Sequence, residues 1–149
     1  MDTFIYIAIF SGIFVLVMIV IAFFIHYDTI YKIRYNIGCR YAYGKGHSQN
    51  IEKAIRWFSA AEKHDNVKLG NILFEIGNDY LYGKNGVQQN EEKAVLWFNS
   101  AVKRNNNESL KLGYYYAYGK GFTQDKEKAI HWFDVATNQD NVKVGEILF

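Results

Sequence analysis

The chain has 149 residues, 50% of them hydrophobic, a single cysteine and a formal net charge of +2. That length holds one folded domain plus a short appendage, and the charge is too small to point to a nucleic acid or another polyanion. One cysteine excludes a disulfide framework and a cysteine-based zinc site.

After a short tail, 1–3, the first element is an uncharged run, FIYIAIFSGIFVLVMIVIAFFI, at Phe4–Ile25. As a helix rising about 1.5 Å per residue it reaches about 33 Å, enough for the roughly 30 Å hydrocarbon core of a bilayer. It lacks the basic start, short apolar core and small-residue exit of a cleaved signal peptide. A retained, single-pass transmembrane helix is therefore expected over 4–25. Ala8, Ser11 and Gly12 place small residues on part of its surface, a pattern that permits close helix packing in lipid. Only Met1, Asp2 and Thr3 precede the run, whereas Lys32, Arg34 and Arg40 follow it. Basic residues resist translocation, so the bulk of the chain is expected on the cytoplasmic side of the plasma (inner) membrane. Asp28 is expected to cap the next helix, which starts a folded domain at 28–149 with almost no linker.

The remainder repeats itself. IGCRYAYGKGHSQNIEKAIRWFSAA (Ile37–Ala61), IGNDYLYGKNGVQQNEEKAVLWFNSA (Ile76–Ala101) and LGYYYAYGKGFTQDKEKAIHWFDVA (Leu112–Ala136) align through their glycines, Lys-Ala pairs and tryptophans. Trp57, Trp97 and Trp132 recur at intervals of 40 and 35 residues, a period that belongs to stacked supersecondary units. Each unit reads as helix, turn, helix. Gly38, Gly77 and Gly113 stand in the first helix, where a missing side chain lets a neighbouring helix approach. The Gly-Lys-Gly segment ends that helix, and Asn50, Asn90 and Asp125 stand where an N-cap belongs. The second helix then carries an apolar stripe: Ala54, Trp57, Phe58 and Ala61, with the same stripe from Ala94 and from Ala129. The three tryptophans are expected to be buried between helices. The repeats span about 29–64, 67–104 and 108–138. DNVKVGEILF at the end echoes DNVKLGNILF at Asp65–Phe74, so a short terminal helix is expected over 141–149.

Gly-Lys in these turns is not a phosphate loop. That motif has four residues between its first glycine and Gly-Lys, followed by Ser or Thr. Here five intervene, as from Gly38 to Gly44, and no hydroxyl follows the lysine. The four histidines show no metal-ligating spacing, the serines lack a nucleophile-elbow context, and Cys39 has no base nearby in sequence. No catalytic residue, metal or cofactor is expected.

The repeated residues resemble the Sel1-like repeat family, α/α solenoids related to tetratricopeptides. The match covers Ile37 to Ala136 and departs at His47 and Phe122, where the family carries valine, and at Asn85, an insertion in the second turn. The resemblance implies an all-α chain: the transmembrane helix, then a right-handed solenoid of three repeats and a terminal helix. It also implies a partner protein held on the concave face of the first helices. Those positions are Tyr35, Cys39 and Tyr43, then Phe74, Asn78 and Tyr82, then Leu110, Tyr114 and Tyr118. The expected function is a non-catalytic, membrane-anchored scaffold or accessory subunit binding a protein partner, in particular a membrane complex, with lipid contacted through the anchor. No nucleic acid or small-molecule substrate is expected. The alternative is a membrane-tethered inhibitor or immunity protein that masks a toxin or enzyme.

The flanking charges generate a topology test. A fluorescent reporter fused to the C-terminus should light in the cytoplasm, and an exported phosphatase at the same point should stay inactive. The opposite pair of results places the repeats outside.

Overall fold

The computed structural model describes residues 2–46, 48–63 and 65–137, with side chains described from Phe10 onward. Its first helix, α1, runs without a break from Asp2 to Tyr43, over 42 residues. Asp28 is therefore not a cap. It lies inside α1 and accepts a hydrogen bond from Lys32, one turn later, at 2.7 Å. Such i,i+4 pairs support a helix rather than end it, and between Ile25 and Tyr43 the sequence offers no proline to break one. The uncharged run and the first helix of the repeats are one rod.

Five more helices follow: α2 (Ile51–Ala61), α3 (Asn66–Tyr82), α4 (Glu91–Val102), α5 (Asn107–Tyr118) and α6 (Lys126–Thr137). The described residues contain no strand. Packing is closest within the hairpins α1/α2, α3/α4 and α5/α6, and looser between them. This is the helical solenoid expected from the repeats. Trp57 and Gly77 are 20 residues apart, against 16 for Trp97 and Gly113, and α3 has 17 residues against 12 in α5, so the longer spacing becomes extra turn at the start of α3. The proposed terminal helix, 141–149, lies outside the described residues.

Each hairpin is closed in the same way. The turn glycines take positive φ, 69° at Gly44, 65° at Gly83 and 65° at Gly119, a left-handed conformation that glycine adopts at low cost because it has no Cβ to clash. The cap residue then turns its backbone N–H onto the preceding helix: Asn50 onto Tyr41 O, Asn90 onto Tyr80 O and Asp125 onto Tyr116 O, at 2.7–3.0 Å. Its side chain accepts from the backbone N–H of Lys53, Lys93 or Lys128 at 2.8–2.9 Å, satisfying an orphan donor of the helix start. The same three lysines place their ammonium groups 5.2–5.4 Å from the ring centroids of Tyr41, Tyr80 and Tyr116. One lysine per repeat thus joins the cap to a cation–π contact.

The core is built from phenylalanine opposite glycine. A Cβ on Gly38, Gly77 or Gly113 would stand 2.6 Å from a ring carbon of Phe58, Phe98 or Phe133. These three rings are at most 2% exposed. Trp97 is fully buried, but Trp57 and Trp132 are only half-buried. The expectation that all three lie between helices therefore holds for the middle one alone. Trp97 has a described unit on either side, and each of the others has one on a single side. Phenylalanine, not tryptophan, is the interior residue common to all three hairpins.

The glycine contact can be tested directly. Gly77→Val forces a branched side chain into the Phe98 ring and should destabilise the fold by about 1–3 kcal/mol, the usual effect of overpacking a filled core. Chemical denaturation in detergent, followed by helical circular dichroism, measures it. Unchanged stability would mean that the two helices are not in contact there.

Candidate interaction surface

Five residues of α1 follow one another at four-residue spacing: Tyr27, Tyr31, Tyr35, Cys39 and Tyr43. They form a ridge that winds slowly around the helix, by about 40° at each step. Tyr31 and Tyr35 stack with centroids 6.0 Å apart, and Tyr35 leans on Phe58 at 5.3 Å. Cys39 is half-buried, and burial pushes its thiol pKa up, away from the thiolate form. Tyr43 donates its hydroxyl to Asp79 Oδ2 at 2.6 Å. Burial, then that hydrogen bond, raise the Tyr43 pKa. Asp79 is itself buried and takes a second bond from Asn85 Nδ2 at 2.8 Å. The inserted residue of the second turn, held at φ 53°, thereby helps satisfy a buried carboxylate.

Similar bonds cross each boundary between repeats. Tyr80 donates to the Ala42 carbonyl at 2.8 Å, and Tyr115 donates to Asn78 Oδ1 at 3.1 Å. Tyr43, Tyr80 and Tyr115 therefore spend their hydroxyls, and Asn78 its Oδ1, on stacking the units.

The nine positions assigned to a concave face do not behave alike. Phe74 is 2% exposed, with centroids 4.6 Å from Phe98 and 5.7 Å from Tyr115. It offers no surface to a partner, because α3 is packed against α4 and touches α5 as well. Tyr35, Cys39, Tyr43 and Leu110 are half-buried against the core. Tyr82, Tyr114 and Tyr118 remain open, at 41%, 40% and 69% exposure. Tyr114 and Tyr118 stack nearly parallel at 6.0 Å, and Tyr114 also meets Phe133 edge-on at 5.2 Å. Tyr82 borders the α5–α6 turn, 3.0 Å from where a Cβ on Gly121 would stand. The open aromatic surface thus lies along α5 and at the ends of α3 and α5.

A second feature was not anticipated. Beside the end of the apolar run, α1 meets the end of α2 and the start of α3 around a cleft of about 730 Å³. Its wall includes Phe24, Tyr27, Asp28, Tyr31 and Glu62. Tyr31 donates to Glu62 Oε1 at 2.8 Å, and Arg34 Nη1 donates to the Ala60 carbonyl at 2.9 Å. Lys63 lies 3.9 Å from the centroid of the Tyr27 ring. Burial, then the Glu62 bond, push the Tyr31 hydroxyl up to about 12, so it stays a donor. The four-residue spacing of Tyr27, Tyr31 and Tyr35 was the signal for this wall. It is visible only when the helix is not cut at Asp28.

Of the anchor residues singled out, Ala8 belongs to the part of α1 whose side chains are not described. Gly12 has no atom within 4 Å of its Cβ position, and Ser11 is exposed. Among the described residues no group of three or more His, Cys, Asp and Glu side chains converges on a metal-binding geometry.

The Sel1 repeat model matches this chain three times, at residues 34–66, 73–106 and 110–141. A crystal structure of a Sel1 repeat protein from Oxalobacter formigenes is similar at 26% identity and a TM-score of 0.42, over 87% of this chain and 96% of that one. No curated protein matches.

The Tyr43–Asp79 bridge generates a further test. Tyr43→Phe leaves the buried carboxylate one donor short and should cost about 1–3 kcal/mol of stability. Tyr118→Phe, at an open position, should change it by less than about 0.5 kcal/mol. Thermal melting of the two variants in parallel measures the difference, and equal melting would remove the bridge from the account of stacking.

Proposed function

The chain belongs to the Sel1 repeat family, and from that premise we propose that it is a membrane-anchored, non-catalytic adaptor that presents its repeats to a protein partner beside the bilayer. Sel1 repeat proteins are generally protein-interaction scaffolds. The observation that carries the membrane part is the state of α1. It is long and apolar enough to cross a membrane, and every residue from 10 to 29 is exposed. A contiguous apolar surface of that size marks a membrane or protein contact, and an uncharged run of this length suits lipid. On this reading the chain is a single-pass protein of the plasma (inner) membrane with its repeats in the cytoplasm. Its partner is a protein, and a membrane complex suits the short reach of a domain joined directly to its anchor.

Tyr82, Tyr114 and Tyr118 are the residues we assign to that partner. Tyrosine is enriched at binding hot spots, where its truncation costs about 2 kcal/mol or more. Tyr82 and Tyr118 make the cleaner pair for a test, since Tyr114 also supports Phe133. Tyr82→Ala with Tyr118→Ala should leave the helical melting curve and membrane retention unchanged. It should also lower recovery of the partner crosslinked to the wild type in native membranes by at least about tenfold. A folded double variant that keeps its partner moves recognition to another face or to the anchor.

A further inference from the structure

The cleft beside the anchor holds two kinds of group at one depth. Phe24 belongs to the uncharged run, and Tyr27 and Asp28 follow it within one helical turn. On the reading of α1 as a membrane span, on which this inference rests, the mouth of the cleft is level with the lipid headgroups. Its wall includes Tyr27, Tyr31 and the carboxylates of Asp28 and Glu62, together with Lys68 at the start of α3.

This is complementary to a zwitterion. A tyrosine face attracts a cation, and the Lys63 ammonium at 3.9 Å from the Tyr27 ring shows that attraction already in use at the edge of the cleft. A carboxylate accepts at both oxygens. The Tyr31 bond uses Oε1 of Glu62, and the Lys32 pair uses Oδ2 of Asp28, so each group has a second oxygen to offer an ammonium. Lys68, which also lies 3.7 Å from Asp65 Oδ2 in a solvent-exposed pair, supplies positive charge for a phosphate, and Phe24 continues the wall into the hydrocarbon. We propose that this cleft binds the headgroup of phosphatidylethanolamine from the adjacent leaflet, the ammonium between Asp28, Glu62 and the tyrosines, the phosphate toward Lys68. The primary ammonium is selected over the quaternary one because Asp28 and Glu62 accept N–H bonds that choline cannot donate.

The experiment uses the full chain in mild detergent. It is offered equal amounts of phosphatidylethanolamine, phosphatidylcholine and phosphatidylglycerol, and the retained lipid is counted by native mass spectrometry. Wild type should keep phosphatidylethanolamine over each of the others by at least about fivefold. Asp28→Asn with Glu62→Gln, which preserves an acceptor for Tyr31, should bring the ratio to about one. Asp28→Asn alone, at an exposed position that cannot unfold the repeats, should lower it by at least about twofold. No preference in the wild type, a preference for phosphatidylglycerol, equal retention of phosphatidylcholine, or an undiminished preference in the variants overturns the proposal. Alkaline carbonate extraction separates this from the anchor itself. A chain washed off membranes defeats the membrane reading, whereas a chain that stays without lipid preference defeats only the headgroup site.

Discussion

The contact between a glycine of the first helix and a phenylalanine of the second is the constraint from which the hairpins follow. With ring carbons 2.6 Å from each absent Cβ, the two helices of a unit approach as closely as backbone and ring allow. That spacing leaves little choice for the turn, which must reverse within a few residues and therefore uses left-handed glycines. It also brings the cap residue near enough to bond the tyrosine carbonyl of the preceding helix, and the cap lysine near enough to cover that tyrosine's ring. Propensity is sacrificed for this, since glycine weakens a helix interior by about 1 kcal/mol relative to alanine. A buried phenylalanine contributes more than it takes to offset that loss.

Tyrosine is divided between stitching and open surface, and whether its hydroxyl meets the neighbouring unit decides which. At the boundaries between repeats the hydroxyls of Tyr43, Tyr80 and Tyr115 find acceptors on the neighbouring unit. Repeat proteins owe much of their stability to such nearest-neighbour terms. Toward the last described hairpin the same residue type is left open, in Tyr114 and Tyr118. An aromatic row that looks uniform along the chain is thus a set of stitches at Tyr43, Tyr80 and Tyr115 and open surface at Tyr82, Tyr114 and Tyr118.

What the sequence revealed was local. The turns and the caps at Asn50, Asn90 and Asp125 depend on residues within about a dozen positions of each other, the hairpins on glycine and phenylalanine about twenty apart, and a repeated pattern exposes them three times. Burial was less legible because it depends on neighbours in space. Phe74 carries the same spacing as Tyr35, yet α3 has helices packed on two sides where α1 has fewer, so one residue is enclosed and the other is half open. Tryptophan drew attention by its rarity, while the residue filling every hairpin was the phenylalanine beside it. The cut at Asp28 came from treating a good cap residue as sufficient evidence for a helix start. A cap acts only where the preceding chain is not already helical, and nothing between Ile25 and Lys32 interrupts the helix. That one misplacement also hid Tyr27 and Tyr31, and with them the cleft.

On the proposed reading of α1 as a membrane span, its unbroken course also removes a freedom that most tethered domains have. A flexible linker lets a domain sample every heading above the membrane, so only its reach matters. A helix turns by about 100° with each residue, and a rod that enters the first hairpin without a joint ties the side of the repeats bearing Tyr118 to one side of the span. The residue count between the two then acts as a compass setting in the plane of the membrane. Neighbours lying in that plane meet the repeats from one bearing, and whatever packs on the span decides which bearing that is.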